Sequence, residues 1–309
     1  MSIKLFFAPQ MQKMAGEIAV FGKGLVNLGT IRWDRYKDGF PNTIIEQAEA
    51  LHNCDVAFLA SFETMADIPE QLFALNTLTR RYKVRSLKLM LFDYPTGTKD
   101  RWEEEGEVVT AFELANLMGC ISPARSGPVD LGIFDIHALQ EESYFPDSFH
   151  PPDRLSVMPL LKDMLSGYED ASIIYPDEGA YKRYKKYFIG MNEVICEKRR
   201  VGEKRMVTIK EGNPKNRHCV IVDDRIISGG TIIQCKDTLF AAGAETVSAF
   251  AAHGAFVGES WKKFMDSGFS EVWISDSCPT MAEKLKGVAQ FRIASLAHVA
   301  SEWILQDVR

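Results

Sequence analysis

Between residues 219 and 231 the chain reads Cys219-Val220-Ile221-Val222-Asp223-Asp224-Arg225-Ile226-Ile227-Ser228-Gly229-Gly230-Thr231, passing from apolar residues to paired carboxylates to small and hydroxyl residues. Consecutive apolar residues predict a parallel strand buried on both faces, and adjacent carboxylates at its carboxyl end must face a ligand, water or a metal. Ser228, Gly229, Gly230 and Thr231 offer hydroxyls and unobstructed N–H groups just before a helix expected from Ile232, where the helix dipole favours an anion. Carboxylates that accept from vicinal hydroxyls, a few residues from an anion nest, suit a phosphorylated ribose better than a nucleotide pyrophosphate. An ordinary strand, turn and helix with a solvated Asp pair is the bland alternative, but the full order of residue types is far more restrictive than a lone Gly-rich turn.

Three further segments carry residues of ligand type. His137 follows the apolar run Gly132-Ile133-Phe134-Asp135-Ile136, at the strand end where α/β sheets place metal, phosphate or acid/base residues. Taken alone, a structural histidine is the commoner outcome. Tyr175-Pro176-Asp177-Glu178-Gly179-Ala180 again follows a strand and opens a helix. Asp177 there is either a Mg2+ ligand, since Mg2+ favours one or two carboxylates plus ligand phosphates, or simply the helix N-cap. The helix that follows, Tyr181-Lys182-Arg183-Tyr184-Lys185-Lys186-Tyr187, reads as a mostly solvated face. Last, Glu197-Lys198-Arg199-Arg200-Val201-Gly202-Glu203-Lys204-Arg205 predicts a cationic hairpin. Lys198 and Arg200 lie on one side of an extended strand and would neutralise charge developing on a polyphosphate, whereas by itself such a hairpin is more often a solubilising one.

The elements that must position these residues alternate strand with helix along the chain, which predicts an α/β protein with two doubly wound parallel-sheet domains. Expected strands are 3–8, 56–60, 86–92, 131–136, 171–175, 194–197, 219–222, 246–252 and 271–275. Expected helices are 11–28, 68–82, 108–118, 154–166, 180–188, 232–242 and 260–267, with an amphipathic tail from Ala297 to Val308 able to pack on either domain. The proline-rich stretch Pro146 to Asp153 is the expected hinge, giving an N-terminal domain of 1–150 and a C-terminal domain of 151–309.

Composition supports that frame. With 309 residues, 46% hydrophobic and 25% charged, the chain can build two cores, and disordered or fibrous classes are excluded. A net charge of -6 argues against nucleic acid or an anionic membrane as partner. No run of about 18 apolar residues predicts a membrane span, and the first residues lack secretory or transit character. Six scattered cysteines with no C-x-x-C pair suggest neither a zinc knuckle nor a disulfide framework, so a reducing, cytoplasmic compartment is expected.

Taken together, in this order and spacing, the four segments resemble those of the ribose-phosphate pyrophosphokinases, over most of the chain. Phe40-Pro41-Asn42, Pro95-Thr96-Gly97-Thr98, Glu104-Glu105-Gly106 and Ile209-Lys210-Glu211-Gly212-Asn213-Pro214 are similar to the plant-type class II members. The resemblance implies a phosphoribosyltransferase-like fold, ATP and ribose 5-phosphate as substrates, Mg2+ as cofactor and a homo-oligomer. It also implies residue roles. The sugar hydroxyls fall to Asp223 and Asp224, the 5-phosphate to Ser228, Gly229, Gly230 and Thr231, and transition-state charge to Lys198 and Arg200. His137 would contact the ATP phosphates and metal, Asp177 the metal, and Phe40 and Arg101 the nucleotide. The nucleotide segments depart from the commoner class. Phe40-Pro41-Asn42-Thr43-Ile44 stands where Phe-Pro-Asp-Gly-Glu is usual, and Asp93 to Arg101 where an Arg-Gln-Asp segment is usual. Two alternatives stay compatible with the sequence: a non-catalytic regulatory relative, which the altered nucleotide segments favour, and a phosphoribosyltransferase, which shares the 223–231 loop. His253-Gly254, at another strand end, is also family-like, without an assignable role.

Overall fold

A computed structural model describes residues 2–168, 170–201 and 204–306, and all of their side chains except those at 139, 200, 201, 204 and 205. The chain divides into two compact units, 1–155 with 296–309 and 156–295. The first unit runs β1 (Ile3–Phe7), α1 (Gln12–Phe21), β2 (Val26–Leu28), β3 (Ile31–Arg35), β4 (Pro41–Ile45), β5 (Asp55–Ala60), α2 (Ile68–Arg80), β6 (Ser86–Leu91), α3 (Thr110–Met118), β7 (Asp130–Phe134) and β8 (Asp153–Leu155). Its six-stranded sheet has the order β2-β1-β5-β6-β7-β8, parallel throughout, while β3 and β4 form a separate antiparallel hairpin. In β5 and β6 every residue after the first is buried, which is the pattern of strands covered on both faces.

The second unit runs α4 (Met158–Met164), β9 (Ser172–Tyr175), α5 (Glu178–Tyr184), β10 (Asn192–Val201), β11 (Lys204–Glu211), β12 (His218–Ile226), α6 (Gly230–Ala241), β13 (Thr246–Gly254), β14 (Val272–Ser275), α7 (Pro279–Leu285) and β15 (Phe291–Ala294). Its sheet order is β11-β10-β9-β12-β13-β14-β15, parallel except for the β10–β11 hairpin. From β9 the chain steps outward to β10 on one side and later returns to β12 on the other. The strand order therefore reverses between β9 and β12, and ligands of open α/β sheets bind beyond the carboxyl ends of the strands at such a switch point.

Several expected elements are corrected. The helix expected over 11–28 ends at Phe21, because Lys23 and Gly24 take positive φ values of 47° and 85°, and the chain continues as edge strand β2. The helix expected over 154–166 is strand β8 followed by the shorter α4, and that expected over 260–267 is one 3-10 turn, Ser260–Phe264. The division between units falls after Leu155, a few residues beyond the prolines, since β8 pairs in parallel with β7 and the Asp135 N–H donates to the Leu155 carbonyl at 2.9 Å. The last helix, α8 (Ala297–Leu305), returns to the first unit and lies on α1. A buried polar contact fixes it there: Lys88 Nζ donates to the Trp303 carbonyl at 3.2 Å, and Trp303 Nε1 donates to Asp153 Oδ2 at 2.8 Å. Gly132 leaves room for that indole, as a Cβ there would sit 3.0 Å from it.

Candidate active site

In the second unit, β12 ends in Asp223, Asp224 and the 227–231 turn, while its neighbour β9 ends in the Pro176-Asp177-Glu178 turn. Both turns lie at the switch point. Gly229 enters the left-handed region at φ 77° as the residue before α6, and a Cβ on it would meet Phe264 at 2.5 Å. Glycine is thus required here by both backbone and space. Gly230, by contrast, faces open room, with Ser228 Oγ at 4.0 Å the nearest neighbour of an added Cβ. The turn is braced from behind: Ser260 Oγ donates to the Ile227 carbonyl at 2.7 Å and Lys263 Nζ to the Ser228 carbonyl at 3.2 Å.

Asp177 does two things at once. Oδ1 caps α5 by accepting from the Ala180 N–H at 3.0 Å, and Oδ2 pairs with Lys198 Nζ at 3.1 Å. Burial opposes charge on Asp177, yet the Ala180 N–H and the Lys198 ammonium outweigh it and hold the carboxyl below its usual range. A second pair, Lys210 with Glu178, ties β11 to the same turn. The cationic hairpin is therefore seated on the acidic turn through one lysine from each strand. Arg200 pairs with Arg205 in the hairpin ladder, but its side chain lies outside the described residues.

Asp223 and Asp224 are not two equivalent acceptors. Asp224 is buried against Arg183, with Nη1 and Oδ1 2.9 Å apart. Burial lowers the tendency of Arg183 to hold its proton, and the charge of Asp224 more than reverses this. Asp223 Oδ1 accepts from the Asp224 N–H at 2.9 Å, which curls the side chain back along the strand. Dense surroundings first, and then the Asp224 charge, push the Asp223 carboxyl well above its ordinary pKa. Asp223 nonetheless retains partial contact with solvent.

In the first unit, His137 lies just beyond β7, after Asp135 has taken a positive φ of 39°. The 95–98 loop presses on it: a Cβ at Gly97 would meet His137 Cβ at 2.9 Å and Glu141 Oε1 at 3.1 Å. Asp100 accepts from Gln140 Nε2 at 2.7 Å, so the loop carrying Arg101 is tied to the turn after His137. Arg101 itself is open to solvent, 3.9 Å from Glu103. Phe40, 71% exposed, stands at the turn of the β3–β4 hairpin. That hairpin is anchored on α2 through Arg35 and Thr43, which contact Glu70 at 3.0 and 2.6 Å. The switch point of this sheet lies between β1 and β5, so His137 and Arg101, beyond β7 and β6, stand away from it.

Comparison with known proteins bears on what these sites are. Ribose-phosphate pyrophosphokinase 3, mitochondrial, of Spinacia oleracea is 42% identical over 303 residues, covering 95% of this chain and 74% of that protein. The chain belongs to the ribose-phosphate pyrophosphokinase family. Ribose-phosphate pyrophosphokinase 4 of Arabidopsis thaliana is 40% identical over 303 residues, covering 96% of this chain and 89% of that protein. In three dimensions the chain is similar to phosphoribosylpyrophosphate synthetase from Mycobacterium smegmatis, with a TM-score of 0.82, 21% identity and 98% of each chain covered. That likeness shows the shared phosphoribosyltransferase-like fold. No family model matches the chain.

Against this family background, two residues escaped the sequence reading. Arg183 belongs to a helix read as a solvated face, yet its side chain is 18% exposed and held by Asp224. The helical period carries the signal, since Ala180 and Tyr184 are the buried residues of α5 and Arg183 borders that stripe. Lys210 gave no signal of its own, because its partnership with Glu178 depends on the hairpin folding back.

Proposed function

We propose that the chain is a ribose-phosphate diphosphokinase: the anomeric hydroxyl of ribose 5-phosphate attacks the β-phosphorus of ATP, the bond from that phosphorus to the AMP oxygen breaks, and phosphoribosyl pyrophosphate and AMP leave. The 42% identity to a ribose-phosphate pyrophosphokinase carries this reading. Supporting it, the second unit gathers a glycine turn at a helix start, a carboxyl pair and a lysine at its switch point. In such a transfer the protein performs little covalent chemistry and works through positioning and charge.

Ser228, Gly229, Gly230 and Thr231 are assigned to the 5-phosphate, and Asp223 and Asp224 to the sugar hydroxyls. Lys198 and Arg200 are assigned to the charge that develops on the transferred group, which requires Lys198 to leave Asp177. On the first unit, His137, Arg101 and Phe40 are assigned to ATP. For Mg2+ the residues fit: Asp177 supplies a hard carboxylate oxygen, the donor that ion takes alongside substrate phosphates. Asp177 on the second unit and His137 on the first are each assigned as a candidate Mg2+ ligand, and the ion when bound would neutralise phosphate charge. Homo-oligomeric assembly is part of the proposal, as is a cytoplasmic location; the six free thiols suit any reducing compartment. The relatives in spinach and rice carry mitochondrial and chloroplastic in their names. Among the described residues no helix is long and apolar enough to cross a membrane.

Incubation with ATP, Mg2+ and ribose 5-phosphate, followed by nucleotide chromatography, tests the reading. AMP that forms only when the sugar phosphate is present supports it. Absence of turnover points to the regulatory relative, and base-dependent release of pyrophosphate from the activated sugar points to a phosphoribosyltransferase.

A further inference from the structure

Arg183 projects from α5 against the end of β12, its side chain 18% exposed, and its Nη1 lies 2.9 Å from Oδ1 of Asp224, whose side chain is 8% exposed. Its guanidinium carbon also sits 5.4 Å from the centroid of the Tyr184 ring, and Tyr184 is fully enclosed. Nothing in the reaction demands a cation at this depth, on the protein side of the sugar carboxylates. Burying a carboxylate is costly, and removal of one member of a buried pair takes away compensation on which the other draws. The contact is a close ion pair, and a planar, rigid guanidinium restricts the directions open to a paired carboxylate more than an ammonium would. α5 is the helix that Asp177 caps. One short element therefore places the carboxylate assigned to metal at its start and the cation that holds the sugar carboxylate in its last turn.

We infer that Arg183 is a positioning residue of the sugar site, which holds the Asp224 carboxylate as an oriented, charged acceptor for the ribose hydroxyls. The inference rests on the proposed ribose 5-phosphate site. Arg183 does not touch the sugar; it acts through Asp224. Beside it, Asp223 is set apart by its bond from the Asp224 N–H, so the two carboxyls present different faces to a vicinal diol. Loss of Arg183 would let Asp224 turn, weakening sugar binding while leaving the nucleotide residues of the first unit untouched.

The test is steady-state kinetics and calorimetric titration with ribose 5-phosphate for Arg183→Met, Arg183→Lys and Arg183→Ala. The Met variant is expected to raise the KM and Kd for ribose 5-phosphate by at least about tenfold with the KM for ATP changed less than about twofold. The Lys variant, which keeps the charge but not the fork, should fall between Met and wild type, and it carries the test if the Met variant does not fold. Low-millimolar ethylguanidinium should restore sugar affinity to the Ala variant. A sugar Kd unchanged in Arg183→Met or Arg183→Lys while only the melting temperature falls would overturn the inference and leave a purely structural tie. If the wild type binds ribose 5-phosphate but produces no phosphoribosyl pyrophosphate, the proposed reaction fails, and the calorimetric comparison still decides the role of Arg183.

Discussion

Gly229 and Gly230 are adjacent, and the structure assigns them opposite sensitivities. At Gly229 an alanine must adopt φ near 77°, a left-handed conformation costing roughly 1–2 kcal/mol for a residue with a Cβ. That Cβ would also stand 2.5 Å from Phe264 Cε2. Phe264 cannot retreat, since it is fully buried, stacked on Phe269 and edge-on to Phe256. Overpacking of a core aromatic adds about 1–3 kcal/mol, so Gly229→Ala should destabilise by roughly 2–5 kcal/mol. Gly230 opens α6 without a positive φ and with open room at its Cβ position. Gly230→Ala should change stability by no more than about 1 kcal/mol, yet place a methyl group in the space assigned to the 5-phosphate and raise the KM for ribose 5-phosphate about tenfold or more. Urea denaturation of both variants, with sugar titration of Gly230→Ala, decides. A Gly229→Ala protein as stable as wild type would refute the packing argument, and a Gly230→Ala enzyme with wild-type sugar affinity would remove the phosphate from this turn.

Other outcomes follow from the same geometry. Lys198→Ala should lower kcat by about 10²–10³-fold with little change in the Kd for the sugar, as for loss of one transition-state donor; rapid-quench turnover at saturating substrates checks this, and unchanged kcat removes Lys198 from the mechanism. The Asp177 carboxyl is held below its ordinary pKa, so its contribution is fully present above the unfolded value and is lost as pH falls through the lower folded one. The stability difference between wild type and Asp177→Asn, from urea midpoints, should accordingly be constant near neutrality and shrink in acid; a difference that grows on acidification contradicts the assignment. Burial pushes the Cys219 thiol up to about 12, while Cys120 is exposed. Mass spectrometry after brief alkylation of the native protein at pH 7.5 should find Cys120 modified and Cys219 intact, and modification of Cys219 would contradict its burial.

Much of the parallel architecture is legible because its central strands are short, nearly uninterrupted apolar runs, as in Val220 to Val222 and Leu87 to Leu91. The β3–β4 hairpin is poorly legible, although Ile31 and Trp33 alternate with Arg32 and Asp34, because a half-exposed strand beside a proline gives a weak signal. The glycine turn, the Asp pair and the Asp177 turn are local in sequence, so their types and order can be read directly. The pairing of Lys198 with Asp177, and of Arg183 with Asp224, joins segments distant along the chain. Such partnerships depend on which strands become neighbours, and periodicity says nothing about that.

In the proposed reaction an intact pyrophosphoryl group passes from ATP to the anomeric oxygen of ribose 5-phosphate. Phosphorus NMR of a mixture of the protein, Mg2+, ATP and ribose 5-phosphate follows that transfer directly. The three ATP resonances should give way to AMP and to a new pair of coupled diphosphate resonances from a pyrophosphate ester at C1 of the sugar, in equal amounts. Conversion to ADP with a singly phosphorylated acceptor, or an unchanged spectrum, would contradict it.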